Sequence, residues 1–163
     1  MEDHVKTGLA PIAARGARLF ILGSLPGDAS LAAQSYYAYP QNQFWRLLEP
    51  VIGEGLHALP YAERLERLAK HKIGLWDVIA TAERRGSLDQ AIRSVGHNPL
   101  SDYLAGFAHL QAVAFNGSTA AAIGRRLLAG CHFQLIDLPS SSPANTRPFA
   151  EKAEAWRVLA TFL

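Results

Sequence analysis

The sequence predicts an α/β fold in which a central, mainly parallel sheet of four strands lies between two layers of helices. Short continuous apolar runs, typical of strands buried on both faces, alternate with segments of helical periodicity. This alternation continues along the whole chain without an internal repeat, a low-complexity tract or a linker. At 163 residues, we therefore expect one three-layer α/β/α domain spanning residues 1–163.

Four apolar runs have the length and composition of buried strands, and each is followed by a turn signal or a polar loop. The predicted strands are 17–24, 73–80, 110–117 and roughly 132–138. Because the strands of such a sheet run parallel, the loops at their carboxyl ends gather at one edge and build the site. Those loops are 23–42, 77–85, 116–119 and 139–147. Their Gly, Pro, Ser and Asn content is equally well explained by turn formation alone.

Apolar residues at helical spacing predict the helices between these strands. The predicted helices are "QFWRLLEPVIG", "YAERLERLAKHK", a short one in "GSLDQAIRSV" with Ser87 as N-cap, "STAAAIGRRLLAG" ending near Gly130, and a final helix. The final helix should begin near Pro148 and bury one apolar face. That face comprises Phe149, Ala153, Trp156 and Leu159.

Composition excludes several classes of protein. The formal net charge of +2, with a pI near 8.9, permits a polyanionic partner without demanding one. One cysteine, Cys131, excludes a disulfide framework, a zinc ribbon and a four-cysteine iron–sulfur cluster. No apolar run approaches the ~20 residues of a membrane span, and the N-terminus lacks the apolar stretch of a signal peptide. We expect a cytoplasmic protein with no membrane association.

Neither metal nor cofactor chemistry is indicated. The histidines are scattered rather than paired at metal-ligand spacing, so we expect no metal site. The turn "GSLPGDAS" lacks the lysine of a phosphate-binding loop and the third glycine of a dinucleotide-binding fingerprint. No lysine occurs in the four loops, so a Schiff-base nucleophile is not expected there. We expect no cofactor.

The first loop carries aromatic rings and one asparagine. Tyr36, Tyr37 and Tyr39 belong to neither strand nor helix, so they either cover the core or stack on a planar heterocycle. Asn42 either caps the helix that starts at Phe44 or aims its amide at a ligand or water. Both readings stay open from the residues alone.

Two further segments have a structural and a functional reading. Asp77, in "GLWDV", lies at the end of an apolar strand, where an unpaired carboxylate is costly, so it either caps a neighbouring backbone or faces the site. The loop "LPSSSPANTRPF" offers hydroxyl, amide and guanidinium groups, the usual contacts to phosphate oxygens. A solvent-exposed loop that binds no ligand would explain the same composition equally well.

Taken together, these segments resemble the uracil-DNA glycosylase superfamily, and within it the hypoxanthine-DNA glycosylase branch. The resemblance spans about residues 17–157, and four motifs in the right order carry it. They are "LGSLPGDASLAAQSYYAYPQNQFW", "GLWDVIATAERRGSLDQAI", "FNGSTA" and "LPSSSPAN". The resemblance implies a three-layer fold and hydrolysis of an N-glycosidic bond in double-stranded DNA that contains a deaminated base. The target nucleotide would be flipped out of the duplex.

The resemblance also implies roles for individual residues. Asn42 would be the catalytic residue, and Tyr37 would stack on the flipped base. The other residues expected to bind the base are Gly23, Ser24, Leu25, Pro26, Phe44, Asp77 and Asn116. Ser140, Ser141 and Ser142 would hold the DNA backbone, while Pro143 to Asn145 wedge the base stack and Arg147 contacts DNA. Phe44 also has a simpler reading as a core anchor.

One position departs from the mismatch-specific relatives, which carry an asparagine as the third residue of the first motif. Leu25 occupies that place here and cannot orient water, so the resemblance to the hypoxanthine branch gives catalysis to Asn42. Asp77, as a carboxylate, would accept the N1–H of hypoxanthine and repel the bare N1 of adenine. Because no lysine or N-terminal nucleophile is apparent, we expect a monofunctional enzyme that leaves an abasic site. We also expect a monomer. A uracil-directed or mismatch-specific glycosylase of the same fold, or a non-catalytic module for damaged DNA, are the alternatives.

Overall fold

The computed structural model describes residues 4–163, and within that range the chain forms seven strands and six α-helices. The strands are β1 (Val5–Thr7), β2 (Leu19–Gly23), β3 (Ile73–Asp77), β4 (Ile79–Glu83), β5 (Arg93–His97), β6 (Ala112–Asn116) and β7 (Gln134–Leu138). The helices are α1 (Asp28–Ala33), α2 (Phe44–Ile52), α3 (Tyr61–Lys70), α4 (Leu100–Leu104), α5 (Ser118–Leu127) and α6 (Phe149–Trp156). Two 3-10 helices span Asp89–Ala91 and Arg157–Phe162.

The central sheet is parallel, and its strand order is β3–β2–β6–β7. The predicted fold class and the four strands of this sheet are therefore confirmed. Gly23 pairs with Asp77, and Asn116 pairs with Leu138, at the carboxyl ends of adjacent strands. All four predicted loops thus start from one edge of the sheet, where these strands end.

Alternate residues of β2 point to opposite faces of the sheet, as the pleat requires. Leu19 and Ile21 belong to the core that contains side chains of α2, α3 and α6. Phe20 and Leu22 belong to the second core, with side chains of α4 and α5. Burying each such side chain contributes about 1.5–3 kcal/mol, so helices are held on both faces of the sheet. This arrangement is the predicted three-layer architecture.

A second sheet was not predicted. The strand expected over 73–80 ends at Asp77. The Val78 N–H still donates to Gly23 O in the parallel sheet, but the Val78 carbonyl accepts the N–H of Asn98, and the chain leaves that sheet there. The following residues form β4, which pairs antiparallel with β1 and β5 in the order β1–β4–β5. The helix expected in "GSLDQAIRSV" is therefore wrong; its residues form one 3-10 turn and β5.

Other local predictions have mixed outcomes. Ser87 caps a different helix from the one expected, because its Oγ accepts the N–H of Asp28, the first residue of α1. The final helix does begin directly after Pro148. Its expected apolar face is only partly right, because Trp156 is fully buried whereas Phe149 is 40% exposed. Within residues 4–163, none of the helices is long and apolar enough to cross a bilayer.

Candidate active site

A cavity of about 820 Å³ opens at the carboxyl edge of the parallel sheet. Its size is in the range of cavities that hold ligands the size of a nucleotide. Four loops meet around it, as the topology predicts. Thirteen of the predicted site residues line it: Gly23, Ser24, Leu25, Pro26, Tyr37, Asn42, Asp77, Asn116, Ser140, Ser141, Ser142, Pro143 and Asn145.

Two predicted site residues lie elsewhere. Phe44 is fully buried behind the cavity wall, so it cannot touch a base and instead packs in the core. Arg147 lies in the exposed part of the last loop, where its Nε is 3.6 Å from Glu151 Oε2. An exposed ion pair of this kind contributes little to stability, and it leaves the guanidinium accessible to solvent.

The orientation of the Asn42 amide is fixed by two donors. Its Oδ1 accepts the backbone N–H of Phe44 at 3.0 Å and the hydroxyl of Ser141 at 2.8 Å. Since an N–H can only donate, the atom facing Phe44 has to be the amide oxygen. With the oxygen occupied, the group that Asn42 offers to the cavity is its NH2, a hydrogen-bond donor. The expectation that Asn42 is the N-cap of this helix is wrong, because Gln43 holds that position and Asn42 precedes it. Asn42 nevertheless bonds the first residue of the helix and lines the cavity.

Asn116 and Ser141 extend the hydrogen-bond network that holds the Asn42 amide. Asn116 Oδ1 accepts the Ser141 N–H at 2.9 Å, and Asn116 Nδ2 donates to Ser141 Oγ at 2.8 Å. Both residues are buried, which makes these hydrogen bonds expensive to lose. The Asn116 amide thus fixes Ser141, and through Ser141 the amide of Asn42. Asn116 also lines the cavity, so its expected contact with the base stays a prediction.

Tyr37 has an unusual backbone conformation at the cavity wall. Its φ of 53° lies in the left-handed region, which a tyrosine adopts rarely and at a cost of about 1–3 kcal/mol. Two contacts hold it there: Trp45 Nε1 donates to Tyr37 O at 3.1 Å, and the Tyr37 ring stacks on Phe44 with centroids 3.7 Å apart. Phe44 and Trp45 thus present one face of the Tyr37 ring to the cavity.

The other two tyrosines of this loop differ from Tyr37. Tyr36 is buried, and its hydroxyl donates to Ala10 O at 2.7 Å, so it covers the core. Tyr39 is 48% exposed and lies at the mouth of the cavity. Of the two readings given to the tyrosines, the core reading fits Tyr36, and the stacking reading is geometrically open to Tyr37 and Tyr39.

Gly23 has no room for a side chain. A methyl group there would lie 2.6 Å from Asp77 Oδ1 and 3.1 Å from Tyr37 Oη. Both groups are buried, and within residues 4–163 neither Tyr37 Oη nor Asp77 Oδ2 has a hydrogen-bond partner of acceptable geometry, although the Asn116 side chain is near Tyr37. Buried polar atoms without partners are rare in proteins. Their place in the cavity wall marks them as atoms that a ligand can satisfy.

The Asp77 carboxyl is perturbed by its surroundings. Burial, first, and the charge of Asp89, second, raise its pKa to about 7, while the Arg84 guanidinium acts in the opposite direction. Asp89 lies in the 3-10 turn that lines the cavity, where its Oδ1 accepts the hydroxyl of Ser24 at 2.6 Å. The carboxyl groups at the end of β3 and in the 3-10 turn therefore act on each other at this site. Perturbed carboxyl groups in a cleft are typical of functional sites.

A buried arginine holds the first loop in place. The Arg84 side chain is fully buried, and its Nη2 donates to Pro26 O at 2.7 Å. Its Nε donates to Gly86 O at 2.6 Å, and Asp28 lies 3.5 Å from Nη2. The guanidinium thus ties the "GSLPGDAS" turn to the β4–β5 connection and shapes the wall that contains Ser24 and Asp89.

A buried lysine anchors the last loop in a similar way. Lys152 Nζ, on α6, donates to Gln43 Oε1 at 2.9 Å and to Ser142 O at 3.3 Å. Desolvation, together with the charge of Arg147, lowers the pKa of Lys152. The Gln43 N–H in turn donates to Ser141 O at 3.0 Å. The loops that carry Asn42 and Ser141 are therefore joined through both backbone and side-chain contacts.

The serine hydroxyls of the last loop keep their protons available. Ser140 Oγ accepts the Ser142 N–H at 3.1 Å, and Ser142 Oγ accepts the Ala144 N–H at 3.2 Å. Because each oxygen is an acceptor in these contacts, each O–H can still donate outward. Asn145 Nδ2 donates to Ser140 O at 3.3 Å and closes the loop. The arrangement suits an anionic group such as a phosphate.

Sequence reasoning missed the residues that the β4–β5 connection brings to the cavity. They are Ser87, Leu88 and Asp89. They were missed because this segment was predicted to be helical. A hairpin could have been predicted instead, since Gly86 and Ser87 lie between two stretches that lack clear helical periodicity. Within the described range, His, Cys, Asp and Glu side chains form no group of three that could hold a metal ion.

Comparisons with known proteins agree with the geometry. The family model described as the uracil DNA glycosylase superfamily matches residues 11–160. A hypoxanthine DNA glycosylase of Methanosarcina barkeri is 38% identical over 151 residues, which cover 93% of this chain and 95% of that protein. A hypoxanthine DNA glycosylase of Methanosarcina acetivorans is 36% identical over 95% of this chain and 98% of its own length.

A solved structure has the same fold. The solution NMR structure of a protein from Methanosarcina acetivorans, described as a candidate uracil DNA glycosylase, superposes with a TM-score of 0.83 at 36% identity. The match covers 95% of this chain and 98% of that one. The family model and these full-length relatives together establish that this chain belongs to the uracil DNA glycosylase superfamily.

Proposed function

We propose that this protein is a monofunctional DNA glycosylase that excises hypoxanthine from double-stranded DNA and leaves an abasic site. The observation that carries the proposal is the meeting of Asn42, Tyr37 and Asp77 at one cavity large enough for an extruded nucleotide. The relatives named hypoxanthine DNA glycosylase, aligned over nearly the full chain, support the choice of base.

The last loop is proposed to hold the DNA backbone. Ser140, Ser141 and Ser142 lie at the rim of the cavity, and the first and third can donate their hydroxyl protons to phosphate oxygens. Pro143 to Asn145 follow at the same rim and would fill the space left by the flipped base. The exposed Arg147 adds a cation close to these phosphate contacts.

The flipped base is proposed to stack on Tyr37. Phe44 covers one face of that ring, so a purine entering the cavity would complete a three-layer stack of Phe44, Tyr37 and base. Stacking of a base on an aromatic side chain is worth about 1–3 kcal/mol. The backbone of Gly23 to Pro26 would lie along the edge of the same base.

Asn42 is proposed to position the attacking water. Its NH2 group can donate to one lone pair of the water oxygen, leaving the other lone pair free to face C1′ of the deoxyribose. The C1′–N9 bond breaks with its electron pair moving to the purine, and the water oxygen bonds to C1′. The proton that the water loses passes through solvent to the departing purine, which leaves as neutral hypoxanthine. Since deoxyribose supports a dissociative path, position and aimed dipoles can carry such a reaction.

The position of Lys152 also fits an enzyme that hydrolyses the glycosidic bond without cleaving the DNA strand. Lys152 is the buried lysine beneath the last loop, but its Nζ donates to Gln43 and Ser142 and is not among the cavity-lining groups. A Schiff base at C1′ needs an amine that reaches the sugar. A monomeric state and a cytoplasmic location stay predictions.

A panel of 5′-labelled duplexes tests the proposal. Each duplex carries one inosine, uracil, xanthine or ethenoadenine, and free base and strand breaks are measured separately, the latter before and after hot alkali. We expect hypoxanthine release to be fastest and strand breaks to form only after alkali. Faster uracil release would favour the mismatch-specific reading, whereas binding without base release from any duplex would favour a non-catalytic module.

A further inference from the structure

The Asp77 carboxyl is a buried acidic group of the cavity wall with an unsatisfied oxygen. Asp77 is 4% exposed, and its Oδ2 is buried without a hydrogen-bond partner in the part of the chain that the structure describes. Its backbone is fixed, because Asn98 Nδ2 donates to Asp77 O at 2.7 Å and the residue ends β3. The Asp77 side chain is thus held in the cavity wall with one carboxyl oxygen that has no hydrogen-bond partner.

The ionisable groups around Asp77 come from three other segments. Asp89, in the 3-10 turn, and Arg84, the residue after β4, interact electrostatically with Asp77. Tyr36 and Tyr37, in the first loop, do so as well. The nearby cation does not pair with it: Arg84 donates to the carbonyls of Leu25, Pro26 and Gly86 instead. Burial and the Asp89 charge therefore outweigh Arg84, and they raise the pKa of Asp77 to about 7.

We propose that Asp77 works as a neutral carboxylic acid that donates a hydrogen bond to hypoxanthine as the base leaves, and that Asp89 is a positioning residue that keeps the proton on Asp77. The inference deepens the proposed function and rests on it. It differs from the sequence-based expectation of an Asp77 carboxylate that accepts the N1–H of hypoxanthine.

The charge that develops on the base decides between the two forms. As the C1′–N9 bond breaks, its electron pair passes to the purine, and negative charge spreads to O6. An ionised carboxylate buried beside the purine would repel that charge, and the low local dielectric makes such repulsion strong. A neutral acid instead donates its O–H to O6 while its carbonyl oxygen accepts N1–H. The proton stays on Asp77 throughout, so the step needs no further acid.

Asp89 has the position that this role requires. It reaches the cavity from the small antiparallel sheet, and Ser24 holds its Oδ1 at 2.6 Å. A negative charge fixed there makes loss of the Asp77 proton harder without touching the base. Asp102 is a matched control: it is an exposed aspartate on α4 and does not line the cavity.

Single-turnover rates of hypoxanthine release from an inosine duplex, measured from pH 5.5 to 8.5 at saturating enzyme, test the inference. The wild-type rate should fall above about pH 7, approaching tenfold for each further pH unit. Asp89→Asn should shift this decline to lower pH, so that the ratio of its rate to the wild-type rate is at least about threefold lower at pH 8 than at pH 5.5. Asp102→Asn should match wild type. Asp77→Asn, whose amide keeps a donor and an acceptor, should stay active with a profile that lacks the decline.

A wild-type rate that rises with pH through neutrality, or an Asp89→Asn profile identical to wild type, would overturn the roles given to Asp77 and Asp89. Base release in the same experiment would still support the proposed function. No release by the wild type at any pH would overturn both. Carbon-13 NMR titration of the Asp77 carboxyl gives a readout that does not depend on turnover. Its midpoint should be near pH 7 and move to lower pH in a folded Asp89→Asn variant; an unmoved midpoint would contradict the role of Asp89.

Discussion

The hydroxyl of Ser141 donates to Oδ1 of Asn42 over 2.8 Å, although 99 positions separate the two residues in the chain. The same hydroxyl oxygen accepts a hydrogen bond from Asn116, so three loops from three strands of one sheet meet at Ser141. This contact turns the NH2 group of Asn42 toward the cavity. The catalytic geometry proposed here therefore depends on a residue that need not touch the substrate base.

Replacing Ser141 by alanine tests that dependence. The change removes one of the two donors to Asn42 Oδ1 and leaves the Asn116 amide without its hydroxyl partner. We expect hypoxanthine release to slow by about tenfold, with a loss of about 1–2 kcal/mol in the free energy of unfolding. Single-turnover kinetics and urea titration measure the two effects. Ser101→Ala, an exposed serine on α4, is the control, and equal rates for both variants would contradict this account.

A methyl group at position 23 should disable the site without removing any functional group. The new Cβ would be 2.6 Å from Asp77 Oδ1, a distance at which one of the two groups has to move. We expect Gly23→Ala to lower the rate of base release by at least about a hundredfold, since a displacement of roughly 1 Å at a reaction centre can cost that much. In Gly55→Ala the added methyl meets only Glu49 Oε2, at 3.7 Å, and activity should persist. Full activity of Gly23→Ala would show that Asp77 can move freely.

Arg84 should matter for stability far more than its exposed neighbour Arg85. Truncating Arg84 leaves the buried carbonyl of Pro26 without a donor, removes the hydrogen bond to Gly86 O and opens space beneath the first loop. We expect Arg84→Ala to lower the free energy of unfolding by about 2–4 kcal/mol, and Arg85→Ala to change it by less than about 0.5 kcal/mol. Urea denaturation followed by tryptophan fluorescence compares them. Similar losses in both variants would argue against the anchoring role.

The raised pKa of Asp77 has a consequence for stability. An unfolded aspartate titrates near pH 4, whereas Asp77 in the folded protein titrates near 7, so between these values the folded state binds the extra proton. Burial of Asp77 therefore becomes more costly as pH rises through this window. Asp77→Asn should stabilise the protein relative to wild type more at pH 8 than at pH 5. An equal difference at both pH values, from urea titrations, would contradict the shift.

The sequence was sufficient for the parallel sheet and for most of the cavity wall. Continuous apolar runs identify β2, β3 and β6, because each is buried along its whole length. The fourth predicted strand, β7, lies at the edge of the sheet and is only partly buried. The carboxyl-edge rule then assigns Gly23, Asp77, Asn116 and the serine loop to one place, where the structure has them. Local periodicity and topology are enough for these features.

The sequence could not reveal contacts that depend on distant parts of the chain. The segment after Asp77 has apolar residues that suit a longer strand, but residues 79–83 pair with β1 and β5 instead of continuing β3. Asp89 and Ser87 then reach the cavity because β4 and β5 pair, which no helical pattern predicts. Likewise, Phe44 reads as a base contact in the motif, but its burial behind Tyr37 makes it a support.

The most direct test of the central claim compares hypoxanthine release by wild type, Asn42→Ala and Gln41→Ala under single-turnover conditions on an inosine duplex. Gln41 is the exposed neighbour and does not line the cavity, so it controls for changes in the loop. We expect wild type and Gln41→Ala to release the base at similar rates and to leave alkali-labile sites. Asn42→Ala should bind the same duplex but release base at least about a hundredfold more slowly. Undiminished release by a folded Asn42→Ala protein would contradict the account.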